Sequence, residues 1–210
     1  MLFLIITHLA YAELSFDKYI IEDSVSSAVS EYAFAFNLKN TGGNTIKITD
    51  ISSSCACTVA SLEKKSYAPN ESGILKGVFR IGGKVGTQEN EILLQTDNLG
   101  QSKIKLMLRV HIEKLLEAKP SLLFWRKSGD PAEKLATVKL GDLADVKIVS
   151  IESDNESFSA KHEPSKDSPK QFILKVSPKS TNEPARGMIK IKAKAENQAE
   201  KTFFIHTIIK

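Results

Sequence analysis

Side chains in this chain alternate with a period of two, in short runs broken by turn residues. Tyr32, Phe34 and Phe36 interleave with Ala33, Ala35 and Asn37. Ile104, Leu106, Leu108 and Val110 interleave in the same way with Lys103, Lys105, Met107 and Arg109. A strand points successive side chains to opposite faces, so each run offers one face to a core. Clusters at Asn40–Asn44, Pro69–Gly73 and Asp97–Gly100 supply the turns. Short runs at such spacing predict an antiparallel β-sandwich.

A second series opens at Pro120. It runs through Leu122–Trp125, Thr137–Leu140, Val146–Ile151, Phe172–Val176, Met188–Ala193 and Thr202–Ile209. The two series can be laid on each other. Ile51–Ala60 falls on Ile151–Ala160, and Gly77–Ile81 falls on Lys175–Lys179. Gly86 before Glu91–Leu93 resembles Gly187 before Met188–Lys190. We therefore expect an all-β chain of two tandem sandwich modules, residues 13–112 and 118–210, with residues 113–117 as a polar link holding Leu115 and Leu116.

Residues 1–12, MLFLIITHLAYA, precede the first module. Their apolar run ends in Ala10-Tyr11-Ala12, the small-x-small pattern of a signal-peptidase site, although no basic residue precedes it. The run is too short to span a bilayer, which takes about 20 apolar residues, so no stable membrane insertion is expected. We read residues 1–12 as a signal peptide and expect a periplasmic or secreted protein that begins near Glu13.

The chain is 41% hydrophobic and 26% charged, which argues against disorder over its whole length. Its formal charge of +4 makes no case for nucleic acid, and no such partner is expected. That charge lies wholly in the second half: residues 13–112 hold 11 basic and 11 acidic side chains, and residues 113–210 hold 18 and 14. Lys190, Lys192 and Lys194 fall on one face of a strand. They read as a solvated outer face that discourages edge pairing. With Trp125 they also suggest a carbohydrate or wall-polymer ligand, although Trp125 reads first as a core residue of the second module.

Chemistry has one candidate location, Ser52-Ser53-Ser54-Cys55-Ala56-Cys57-Thr58. Cys55 and Cys57 are the chain's two cysteines, and in a strand both would face one side. Three readings stay open. In an oxidising compartment the pair can form a disulfide. Strand residues two apart are about 6.5 Å apart at Cα, so that bond needs a bent backbone. As thiolates the two are soft ligands for Cu(I), with Met107 as an accessory ligand and Thr58 alongside; no further cofactor is expected. Zinc is poorly supported, because His111, His162 and His206 stand at no ligand spacing from the pair. Third, both are small buried hydrophobes at the end of a strand. The second module carries Asn155 and Ser157 at the aligned positions. No Cys-x-x-Cys, Gly-x-Ser-x-Gly or His-Glu-x-x-His is present, so no catalytic residue is assigned and no enzyme is expected.

A resemblance follows from the order of these residues. Phe34-x-Phe36-x-Leu38-x-Asn40-Thr41-Gly42, Ile46-x-Ile48-x-x-Ile51, Ser53-Ser54-Cys55-x-Cys57-Thr58, Tyr67-Ala68-Pro69-x-Glu71-x-Gly73, Gly86 and Gln95-Thr96-Asp97-Asn98 together resemble the bacterial domain-of-unknown-function family 1573. That family is similar to Hydin-like immunoglobulin modules. The resemblance covers residues 30–112 and implies an exported bacterial protein with an immunoglobulin-like sandwich. It implies no established activity. Ala56 stands where the family often has glycine. The functional expectation is an exported, non-enzymatic binding or assembly module with an unknown protein partner. The alternative is a periplasmic copper-handling or thiol redox protein acting through Cys55 and Cys57. Contact surfaces expected in the first module are the loops 40–44, 55–62 and 82–87.

Overall fold

The computed structural model describes residues 13–210. The expected signal peptide lies outside the described residues. The chain divides into two compact units: one holds the described residues to Ser24 together with Ser30–Ile112, the other Val25–Val29 with Glu113–Lys210.

The first unit contains β1 (Leu14–Phe16), β2 (Ile20–Ser26), β3 (Glu31–Asn40), β4 (Ile46–Ser53), β5 (Thr58–Leu62), β6 (Ser66–Tyr67), β7 (Ser72–Arg80), β8 (Gly86–Thr96) and β9 (Lys103–Glu113). They form two sheets, β1-β3-β7-β5 and β2-β9-β8-β4-β6. The alternation of the sequence becomes the alternation of burial. Phe36 and Leu38 of β3, Leu75 and Phe79 of β7, Ile92 and Leu94 of β8 and Leu106 and Leu108 of β9 are all at most 2% exposed. Each such side chain contributes about 1.5–3 kcal/mol by leaving water. The residues between them face out. This is an immunoglobulin-like sandwich: β1, β3, β7 and β5 fill one sheet, and β4 leads into β5 by crossing to the opposite sheet.

The second unit contains β10 (Leu116–Lys119), β11 (Leu122–Trp125), β12 (Lys134–Leu140), β13 (Val146–Ser153), β14 (Phe158–Pro164), β15 (Gln171–Pro178), β16 (Ala185–Ala195) and β17 (Lys201–Ile209). Its sheets, β10-β12-β15-β14 and β11-β17-β16-β13, repeat the first unit strand for strand, with nothing in the place of β6. Strand pairing sharpens the correspondence. Thr58 pairs with Phe79 and Phe158 with Pro178, so Gly77 corresponds to Val176, one residue beyond the position read from the sequence. Ser53 pairs with Ile92 and Ser153 with Ile189. Gly187 therefore corresponds to Asn90, not to Gly86.

Residues 113–117, expected as a link, are structured. Glu113 ends β9 and Leu116–Lys119 form β10, paired antiparallel with β12. Leu115 and Leu116 are 0% and 3% exposed and belong to the second unit's core. Of their polar neighbours, Glu113 ends β9, Lys114 lies between the strands and Glu117 belongs to β10. Trp125 is also in this core at 2% exposure, with Nε1 donating to the Ala132 carbonyl at 2.8 Å. That burial removes it as a sugar-stacking surface. Among the described residues no helix is long and apolar enough to cross a membrane.

Candidate functional site

The cysteines lie in the turn between β4 and β5, at the crossover from one sheet to the other. The backbone there is not extended. Thr58 N–H donates to the Cys55 carbonyl at 3.0 Å, closing a β-turn. This draws the two Cα atoms to 5.1 Å, well inside bridging range, and Cys55 and Cys57 are joined by a disulfide. Neither is a free thiol in a strand. Both are half-buried, and Ala56 between them is exposed.

Hydrogen bonds tie the turn to both sheets. Ser53 Oγ donates to the Cys55 carbonyl at 3.1 Å. Ser54 N–H donates to the Glu91 carbonyl at 2.9 Å, and Glu91 N–H donates back to Ser54 Oγ at 2.9 Å. Arg80 N–H donates to the Cys57 carbonyl at 2.8 Å. Cys57 N–H points at Cys55 Sγ, 3.1 Å away, a weak acceptor.

The second unit rebuilds this turn bond for bond without sulfur. Phe158 N–H donates to the Asn155 carbonyl at 3.1 Å, Lys179 N–H to the Ser157 carbonyl at 2.8 Å and Asp154 N–H to the Met188 carbonyl at 3.1 Å. Ser153 Oγ donates to the Asn155 carbonyl at 2.7 Å. Where the first unit has the disulfide, Asn155 Oδ1 accepts from Ser157 N–H at 2.8 Å, an Asx turn. Its Nδ2 donates to the Arg186 carbonyl at 2.8 Å. Gly187 makes room for this: a Cβ there would come within 2.9 Å of Asn155 Cβ and 3.1 Å of Phe158.

In the first unit the amide comes from the other side. Asn90, at Gly187's place, is 4% exposed, and its Oδ1 sits 3.8 Å from Cys57 Sγ. Among the described residues its Nδ2 has no hydrogen-bond partner, and neither has the Oγ1 of buried Thr58. Sequence reasoning assigned Thr58 as an accessory and missed Asn90. The signal was available: Asn90 is a polar residue in the inward register that Ile92 and Leu94 continue.

Met107 is not brought to the sulfurs. It pairs with Glu91, whereas Asn90 pairs with Leu108, so Met107 is on the opposite face of its sheet from Asn90. That face is ionic. Arg109 bridges Glu89 and Glu22, and the hydrogen bond it donates to the Glu89 carboxylate holds its guanidinium above its ordinary pKa. Lys105 pairs with Glu91 at 2.8 Å. The histidines also stand apart: His111 Nδ1 meets Thr87 Oγ1 at 3.1 Å, His162 packs edge-on to Phe172, and His206 is exposed on β17. Among the described residues no group of three or more His, Cys, Asp or Glu side chains is arranged to hold a metal.

Comparison with known proteins gives a family for the first unit. Residues 14–112 match the family described as "Protein of unknown function (DUF1573)". No curated protein matches. Similar solved structures include the VesB protease of Vibrio cholerae, at 16% identity and TM-score 0.39 over 47% of this chain and 31% of that one. The chain thus spans about a third of that protease chain. A protein of unknown function from Porphyromonas gingivalis W83 is 10% identical, with TM-score 0.35 over 94% of this chain and 99% of that one. A three-Ig structure of titin domains is 13% identical, with TM-score 0.36 over 96% and 66%.

Proposed function

With residues 14–112 forming a DUF1573 domain, we propose that the chain is an exported, non-enzymatic binding or assembly module that meets a protein partner through the disulfide-pinned turn and the strand after it. One observation carries this reading. The turn presents exposed Ala56 on a backbone fixed from both sheets, and β5 continues it as an edge strand with Val59 55% exposed. An ordered turn loses little conformational entropy when a partner docks. The strand edge beside it offers unpaired backbone groups for strand addition. Export is supported by the Ala10-Tyr11-Ala12 pattern and by a disulfide, a bond that persists in oxidising compartments.

The test is a photo-crosslinking residue placed at Ala56 or Val59 of the full chain, expressed in its source cells, with exposed Lys103 as the control position. Discrete adducts from 56 and 59, absent from 103, are expected. Equal labelling from all three positions would sink the reading. Intact mass of the exported protein should give a start at Glu13, and retention of the uncleaved chain inside the cell would remove the export claim.

A second reading draws on the half-burial of both cysteines and on the second unit making the same turn without them. A partner dithiol would give two electrons and two protons to the Cys55–Cys57 bond, leaving two thiols here and a disulfide in the partner. Deprotonated, these thiols are the pair that would take Cu(I). Mass measurement before and after reduction, then with Cu(I), tests it. A bond that resists a dithiol reductant and a reduced protein that takes no copper would end this reading.

A further inference from the structure

The two units differ at one edge. In the first, β6 lies beside β4, pairing Tyr67 with Ile46 and Ser66 with Lys47, and Ile48 N–H donates to the Lys65 carbonyl at 2.7 Å. Tyr67 is buried there over Gly73, where a Cβ would fall 2.3 Å from the ring. Ile48 beneath this cover is 0% exposed. In the second unit the corresponding strand, β13, ends its sheet. The chain instead extends β14 to Pro164, paired with β15 along its whole length. Phe172 takes the place of Gly73 in the strand register and supplies a buried ring of its own. Nothing described pairs with the outer side of β13. Ile148, the counterpart of Ile48, is only half-buried, and Val149 next to it is 47% exposed.

Charge collects on this edge strand and on β16 behind it. Lys147 stands opposite Lys194, and Ser150 opposite Lys192, on the outward face. Lys147 has Asp145 at 3.9 Å, while Lys192 and Lys194 have no ion pair among the described residues. Like charges directly across a strand pair repel, and an incoming anion relieves that repulsion. The same lysines disfavour a second copy of this chain, because two β13 edges would bring two lysine rows together.

We propose that the open edge of β13, over Val146–Val149, takes up an extended acidic segment of a partner protein as an added strand, in the position β6 holds in the first unit. The proposal rests on the binding-module reading above and places a second contact surface in the other unit. Alternation sets the partner's chemistry. Its backbone pairs with the edge, its acidic side chains lie beside Lys147, with Lys194 one strand further in, and its intervening apolar side chains lie against Val146 and Ile148.

The experiment uses the full chain and two labelled eight-residue peptides of alternating valine with glutamate or with lysine, read by fluorescence anisotropy. The glutamate peptide should bind and the lysine peptide should not, and binding should weaken as salt is raised. The surface variant Lys147→Glu/Lys194→Glu should bind the glutamate peptide at least tenfold more weakly. Ile148→Pro, which removes an edge N–H, should weaken it without reversing charge. Equal binding of both peptides, unchanged affinity in the Lys147→Glu/Lys194→Glu variant, or a dimer that forms through this edge would overturn the proposal. If crosslinks form at Ala56 and Val59 but the peptide does not bind, this edge assignment alone fails. If neither is seen, the binding-module reading fails with it.

Discussion

Replacing Cys55 by asparagine and Cys57 by serine, in an Asn90→Gly background that gives the asparagine the room Gly187 gives Asn155, transplants the second unit's Asx turn into the first, and its cost can be worked from the geometry. The disulfide closes a loop of three residues, and in the chain-entropy account such a closure stabilises by about 1.6 kcal/mol at 25 °C. A net hydrogen bond contributes about 1 kcal/mol. Cys55→Asn/Cys57→Ser loses the first and gains the second, since Asn Oδ1 can accept from the residue 57 N–H as Asn155 does from Ser157. Cys55→Ala/Cys57→Ala in the same Asn90→Gly background loses the first and gains nothing. The two variants should differ by about 1 kcal/mol, roughly fivefold in a local opening constant. Native-state hydrogen exchange reads this where it occurs, at the Thr58 and Arg80 amides, which are bonded to the Cys55 and Cys57 carbonyls. Protection there should rank the disulfide-bonded Asn90→Gly protein, then the Asn/Ser variant, then the Ala/Ala variant. If the Asn/Ser variant protects no better than the Ala/Ala variant, the two turns are not interchangeable and the reasoning is wrong.

Thr58→Val keeps the side-chain shape and removes a buried hydroxyl that has no partner, so it should raise stability by about 1 kcal/mol in denaturant titration; an equal loss would mean that Oγ1 is satisfied in solution. Glu117 accepts hydrogen bonds from Lys114 at 2.5 Å and from Lys119 at 2.9 Å, which bring its pKa down to about 2. A depressed carboxylate contributes its stability above its unfolded value and loses it as pH falls towards about 2. Because Glu117 is solvent-screened the effect is small, and Glu117→Gln should flatten the acid limb of the second unit's stability between pH 4.5 and about 2. An acid limb of unchanged slope would refute the assignment.

The sandwich was legible because burial follows the alternation almost residue for residue, from Phe34 and Phe36 to Ile104–Val110. The correspondence of 51–60 with 151–160 was legible too, because turns between sheets constrain small polar residues tightly. What could not be read depends on through-space geometry. The disulfide stood open because extended spacing puts the two Cα atoms at the far end of bridging range, and the turn bond from Thr58 draws them in. Gly187 was matched with Gly86 by residue type, whereas strand pairing sets it at Asn90, where the missing Cβ admits Asn155. The link at 113–117 looked polar because Glu113, Lys114 and Glu117 flank its two buried leucines at the passage from β9 to β10. β6 left no trace, since two residues are too few to alternate.

The parallel neighbours β11 and β17 have a mechanical consequence. Leu122–Trp125 run alongside His206–Ile209 in register. The chain enters the first of these strands at its start and leaves the second at its end. Tension applied across the second unit, once it has passed β10 and its pairing with β12, pulls the two strands in opposite directions along their length. Their backbone bonds are loaded together in shear instead of being peeled apart singly. A tether built from this unit resists a pull along the chain far better than one across the open edge of β13, where an added strand unzips bond by bond.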